Sequence, residues 1–204
     1  MDKIEKIEFA LKKRTEYPYN WGRKQLDDWD KQTNFIYQTY SFVSLVEKTK
    51  NFDQDLKNYV FNRWYNYWSA MAVEHVFSMH SIVKANKNKY DKLIDFSIKG
   101  IPFDHKTSVF PKAYYKSIEH AMANKKELIL WLYQNQSQQG RKHLENRLFL
   151  VLYNAKGAHW KMKAEIGLLK NAVDVYINDF DQQKLTKLNF GNGPVLSDII
   201  WVRK

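Results

Sequence analysis

Three residues near the middle of the chain have types and spacing suited to phosphodiester chemistry: Asp95, Asp104 and Lys106. They lie in the stretch Lys92 to Ser108, which reads as two short strands, Leu93 to Ile98 and Ile101 to Thr107, joined at Lys99-Gly100. Glycine takes positive φ without steric cost, so the turn belongs there. With Lys99 and Gly100 as a two-residue loop, Ile98 faces Ile101, Ser97 faces Pro102, Phe96 faces Phe103 and Asp95 faces Asp104. Asp95 and Asp104 then form a non-hydrogen-bonded pair, where side chains come closest. Lys106, two residues on, shares their face, and Phe96 and Phe103 turn to the other one. Opposed carboxylates repel across a sheet, and a bound cation removes the repulsion. Carboxylate oxygens suit a hard ion such as Mg²⁺ or Mn²⁺, completed by water and substrate phosphate. An ammonium beside that ion orients an attacking water or stabilises phosphate charge, which is the constellation for metal-assisted phosphodiester hydrolysis. A three-residue loop with Gly100 in a bulge would instead place Asp95 and Asp104 on opposite faces.

Asp95 followed by Asp104-His105-Lys106 resembles the D…(D/E)xK signature of the PD-(D/E)xK, or restriction-endonuclease-like, nuclease superfamily. The resemblance covers roughly residues 56 to 154, about half the chain, and rests on few residues. It implies that Asp95 and Asp104 are metal ligands, that Lys106 is the catalytic lysine, and that the His105 carbonyl contributes to the metal. A helix before the motif often supplies a further acid in that family, and Glu74 is the candidate as a catalytic and metal-binding residue. The chain departs from the pattern in having Ile94 rather than Pro before Asp95. Asp91 has the same strand parity as Asp95 and is a rival first acid. The plainer alternatives are a surface hairpin with solvated Asp and Lys, and a Glu74 that is exposed or paired with Arg63.

The elements around the motif follow from periodicity and punctuation. Lys3 to Lys13 reads as a short helix, broken by Tyr17-Pro18-Tyr19-Asn20-Trp21-Gly22. Residues 25–49 read as one helix, with Leu26, Trp29, Ile36, Tyr40, Val43 and Val46 at helical spacing. Asn51-Phe52-Asp53 is a stop and a new cap. Residues 54–83 give the longest helical pattern, with a stripe from Leu56 through Trp64 and Trp68 to Met79. Glu74 lies off the centre of that stripe. His75 and His80 are five apart, not the four that place two imidazoles on one metal. After the hairpin, Pro111 opens a helix over Lys112 to Asn124, with Tyr115, Ile118, Ala121 and Met122 on its buried side. Glu127 to Tyr133 is almost wholly apolar and fits a strand buried on both faces. Strand, helix and buried strand then form a parallel crossover. Gln134 to Arg147 reads as a polar loop in which Arg141, Lys142 and His143 contact phosphates. Leu148 to Tyr153 is another apolar strand, Trp160 to Ile177 an outer helix, 178–193 irregular, and Val195 to Val202 a terminal strand. The runs Lys12-Lys13-Arg14 and Arg23-Lys24 are further candidates for phosphate contact.

Composition bounds the rest. The 204 residues suit a single α/β domain: a mixed central sheet flanked by helices, with a helical N-terminal extension (1–55), a nuclease-like core (56–154) and a C-terminal helix and strand (155–204). There are 33 Lys and Arg against 22 Asp and Glu, a net charge of +11 that favours a polyanionic partner, DNA first. Cysteine is absent, which excludes disulfides and thiolate zinc sites. The chain opens without a signal-like apolar run, and no stretch approaches the ~20 apolar residues of a membrane span. A cytoplasmic protein without membrane contact is the expectation. No nucleophile elbow and no phosphate-cradling glycine loop is present. The leading reading is a Mg²⁺- or Mn²⁺-dependent endodeoxyribonuclease of restriction, repair or mobile-element type. A homodimer is what concerted double-strand cutting would need. The second reading is a basic nucleic-acid-binding protein without enzymatic activity.

Overall fold

The computed structural model describes residues 3–21, 27–88, 91, 93–135, 144–191 and 193–204. Its helices are α1 (Lys3–Arg14), α2 (Asp27–Gln32), α3 (Phe42–Lys48), α4 (Gln54–Ser78), α5 (Ile118–Ala123), α6 (Lys125–Asn135) and α7 (Ile166–Asn178). Its strands are β1 (Val83–Ala85), β2 (Phe96–Ile98), β3 (Ile101–Val109), β4 (Arg147–Tyr153), β5 (Thr186–Asn189) and β6 (Pro194–Arg203). The fold is α/β, with one mixed sheet of order β1-β2-β3-β4-β6-β5. β3, β4 and β6 are parallel neighbours, and the pairs β1–β2, β2–β3 and β5–β6 are antiparallel. No helix among the described residues is long and apolar enough to cross a membrane.

The chain forms two compact units, residues 1–73 with 161–169, and residues 74–160 with 170–204. The first is helical and is tied by two arginines. Arg14 is buried and donates to the carbonyls of Tyr17 and Pro18 at 2.9 and 3.0 Å and to Asn62 Oδ1 at 2.6 Å. It therefore does not contact phosphate as its place in a basic run suggests. Arg63 pairs with Asp30 and donates to Thr33, Asn34 and Tyr37, so it is not the partner of Glu74. The expected helix over 25–49 is divided into α2, a 3₁₀ turn at Asn34–Gln38 and α3. Hydroxyl side chains cause the break: Thr33 and Thr39 bond back to the carbonyls of Trp29 and Phe35, and Ser41 caps α3 by accepting from the Ser44 N–H. Leu26, Arg23 and Lys24 lie outside the described residues.

The second unit holds the sheet. On one face α5 and α6 cover Phe149, Val151 and Ile199 with Ile118, Ala121, Leu128, Ile129, Leu132 and Tyr133. The segment expected as a buried strand, Glu127 to Tyr133, is part of α6. Its buried residues recur as 128, 129, 132 and 133, a helical spacing that a short all-apolar run conceals. The crossover from β3 therefore passes through two helices and returns to β4, parallel to β3. Pro111 to Ser117 is not helical. Ser117 caps α5 by accepting from the His120 N–H, and Tyr115 is 92% exposed rather than buried. The outer helix is a 3₁₀ turn at His159–Ala164 followed by α7, and the segment expected to be irregular contains β5. α4 stops at Ser78, which leaves Val83 to begin β1, an edge strand that the helical pattern hid.

The hairpin has the expected register: Ile98 opposite Ile101, Ser97 opposite Pro102, Phe96 opposite Phe103. Its loop has φ of 47° at Lys99 and 85° at Gly100, the paired positive values of a tight hairpin turn. A Cβ at Gly100 would meet nothing within 4 Å, so the cost of Gly100→Ala is purely conformational. That variant is expected to lose about 1 kcal/mol in chemical denaturation. An unchanged midpoint would contradict the turn assignment.

Candidate metal centre

The site forms where the β2–β3 ladder ends. β2 is only Phe96–Ile98, shorter than the expected Leu93–Ile98, because Asp95 leaves the regular ladder. Its N–H donates to the Phe103 carbonyl at 2.9 Å, and its Oδ2 accepts the His105 N–H at 2.7 Å. The carboxylate thus takes the place of the next β2 carbonyl and is fixed against β3. Asp91, the rival first acid, is used locally instead. It accepts from the N–H groups of Leu93 and Ile94 at 2.8 and 3.2 Å and from the Asn86 amide at 2.8 Å. The Leu93 N–H above all, with the Asn86 amide, holds its pKa below the usual carboxylate range.

Asp104 is the buried centre of the polar group. Its Oδ1 lies 3.0 Å from Lys106 Nζ and its Oδ2 lies 2.6 Å from Arg147 Nε. Asp104 and Arg147 are partners in the parallel β3–β4 register, so they project from one face side by side. Their side chains are each only 6% exposed, whereas that of Lys106 is 46% exposed and reaches solvent. Arg147 lies over the Tyr133 ring, 5.5 Å from its centroid. Arg147→Met would leave a buried carboxylate with a half-exposed lysine in place of its matched cation. The expected loss is about 3–5 kcal/mol by chemical denaturation. A loss under ~1 kcal/mol would mean that the pair is not part of the native framework.

Glu74 comes from the last turns of α4. Burial, then the charges of Asp95 and Asp104, push its carboxyl up to about 7, with Lys106 opposing. Asp95 is raised in the same direction, by burial first. The His105 N–H opposes that rise, Asp104 adds to it, and Lys106 moderates it. The four sequence-selected residues Glu74, Asp95, Asp104 and Lys106 are therefore electrostatic neighbours in one unit. Arg141, Lys142 and His143, expected at a phosphate, lie outside the described residues.

The His105 ring and Arg147 are what the sequence reading missed, His105 having been singled out only for its carbonyl. The His105 ring is buried, lies tilted beside Phe77 and stacked near Phe96, and contacts Thr107 Oγ1 through Nε2 at 2.9 Å. Glu74, Asp95 and His105 each offer a donor atom, and these atoms lie within 4.8 Å of one another. Ligands ~2.1 Å from one ion are at most ~4.2 Å apart, so adjustments under an ångström close this set. Strand parity puts His105 on the face opposite Lys106, and the sequence gives no sign that α4 brings an acid to it. Arg147 ends a polar stretch of the sequence, and only the β3–β4 register reveals its partner.

Comparison with protein-family models, with curated proteins and with solved structures finds no match for this chain.

Proposed function

We propose that the chain is a divalent-metal-dependent nuclease that hydrolyses DNA phosphodiester bonds. The observation that carries this reading is the crowding of Glu74, Asp95 and Asp104 beside Lys106, with one carboxyl pushed up to about 7. Carboxylates so placed repel in the free protein and become favourable around a hard cation. The donor atoms within mutual reach, carboxylate oxygens of Asp95 and Glu74 and the His105 imidazole, suit Mg²⁺ or Mn²⁺. Asp104, held by Lys106 and Arg147, would join them by exchanging one of those partners for the ion, and the His105 carbonyl, which a strand directs to the same edge as its N–H, is a further oxygen. The imidazole in reach of Asp95 and Glu74 favours Mn²⁺ more than an all-oxygen site would. The bound ion would polarise the phosphate and acidify a water.

The remaining roles belong to the chain. Lys106, half exposed beside Asp104, orients the water or stabilises charge on a phosphate oxygen. Arg147 holds Asp104 in place, and the His105 N–H holds Asp95. The net charge of +11 favours a polyanionic substrate. The order of α4, hairpin, helical crossover and parallel β4 supports a restriction-endonuclease-like core. A homodimer would supply two such sites for double-strand cutting.

The test is incubation with supercoiled plasmid, linear duplex and single-stranded DNA in Mg²⁺ or Mn²⁺, with an EDTA control. Metal-dependent cleavage is the expected outcome. Salt-sensitive DNA binding without cleavage would favour the non-enzymatic nucleic-acid-binding reading.

A further inference from the structure

The helical unit carries a feature that the hydrolytic reading does not use. A groove of about 220 Å³ opens between α1 and the start of α3, bordered by Lys6, Phe9, Lys13, Tyr40 and Val43 and floored by Phe42. Phe9 is 57% exposed and Val43 is 67% exposed, whereas Phe42 is buried. Lys6, Phe9 and Lys13 sit at spacings of three and four on α1, so they form one stripe with the aromatic ring between two ammonium groups. The two lysines are about 10 Å apart along the axis. Lys13 Nζ lies 5.8 Å from the Phe9 ring centroid, and its pair with Glu16 at 3.2 Å is an exposed one that contributes little. The groove has room for one planar ring rather than a folded cofactor.

We propose that this groove binds single-stranded nucleic acid, with a base against Phe9 and the flanking phosphates on Lys6 and Lys13. Exposed apolar area by itself would suit any apolar partner. Cations on both sides of an aromatic ring select a polyanion with flat apolar faces, and the net charge of +11 acts in the same direction. This is the arrangement of stacking platform and electrostatic track by which proteins hold single strands. The proposal does not depend on hydrolysis, and it predicts binding in the absence of metal.

The test is fluorescence anisotropy of a labelled oligothymidylate with the full chain in EDTA, so that cleavage plays no part. Phe9→Ala is expected to weaken binding about tenfold, from the worth of one base–aromatic stack. Phe9→Trp is expected to retain it. Lys6→Glu with Lys13→Glu is expected to weaken binding and to flatten its salt dependence. Inorganic polyphosphate, which has charge but no bases, is expected to bind wild type and Phe9→Ala equally. Wild-type protein that fails to bind the oligonucleotide, or Phe9→Ala that binds it as wild type does, would overturn the proposal. An equal loss for polyphosphate would also overturn it, because stacking would then have no part.

Discussion

Lys106→Ala is expected to lower metal-dependent cleavage by at least ~10²-fold while leaving Mn²⁺ affinity within about threefold of wild type. The lysine is placed to act on the water or the phosphate rather than to hold the ion. Loss of one positioned proton-transfer or charge-stabilising group costs ~10²–10⁴ in rate. Its 46% exposed side chain contributes little to packing, so the fold should be unaffected. Asp104→Ala is the contrasting variant. It removes the central carboxylate, and it also takes from the buried Arg147 the carboxylate that its Nε meets, so rate, metal affinity and stability should all fall. Asp104→Asn keeps the shape and separates charge from packing. Single-turnover rates and Mn²⁺ titrations on the three variants read these effects independently. A Lys106→Ala protein that cleaves at the wild-type rate would remove the lysine from the mechanism.

Glu74→Gln is expected to stabilise the metal-free protein at pH 8 by up to about 3 kcal/mol and to flatten its pH dependence. The sign follows from proton linkage. The carboxyl titrates near 4.5 in the unfolded chain and is pushed up to about 7 in the native one. Between those values the unfolded state releases a proton that the native state keeps, so stability falls as pH rises through that window and levels off above 7. A rise of that size is worth about 3 kcal/mol. Asp95, raised in the same direction, adds to the slope. A divalent ion reverses the trend because it requires the ionised carboxylates. Millimolar Mn²⁺ should therefore stabilise wild type more at pH 8 than at pH 5.5, and Glu74→Gln less at either pH. Chemical denaturation from pH 5 to 8, with EDTA or with MnCl₂, measures both effects. Parallel pH curves for wild type and Glu74→Gln would show that Glu74 is not the strained member of the cluster.

The hairpin was legible because two signals agreed: glycine at the turn, and phenylalanines that pair across it on the core face. Strand parity put Asp104 and Lys106 on one face, whereas Asp95, expected opposite Asp104 in the ladder, leaves it and is held at β3 by the His105 N–H. β4 was legible as a continuous apolar run, which a central parallel strand requires, and β6 as an apolar run interrupted by Ser197-Asp198. The same rule misassigned Glu127 to Tyr133, since an apolar run of seven residues has no visible period when a helix buries most of its circumference. Pairing decides such a segment, and pairing is non-local. Threonine and serine hydroxyls divided 25–49 into pieces, although the apolar spacing continued through the breaks. Within the site, the family resemblance suggested Glu74. It did not suggest Arg147, whose partner is set by a parallel register across 43 residues, or the His105 ring, whose neighbours come from α4.

Anomalous diffraction from crystals grown with Mn²⁺ at pH 8 tests the metal centre most directly. The expected result is one strong peak about 2.1 Å from carboxylate oxygens of Asp95 and Glu74, within reach of Asp104 or of the His105 imidazole or carbonyl. No peak there at millimolar Mn²⁺, or a peak bound only to other residues, would contradict a metal-dependent nuclease site built on this cluster.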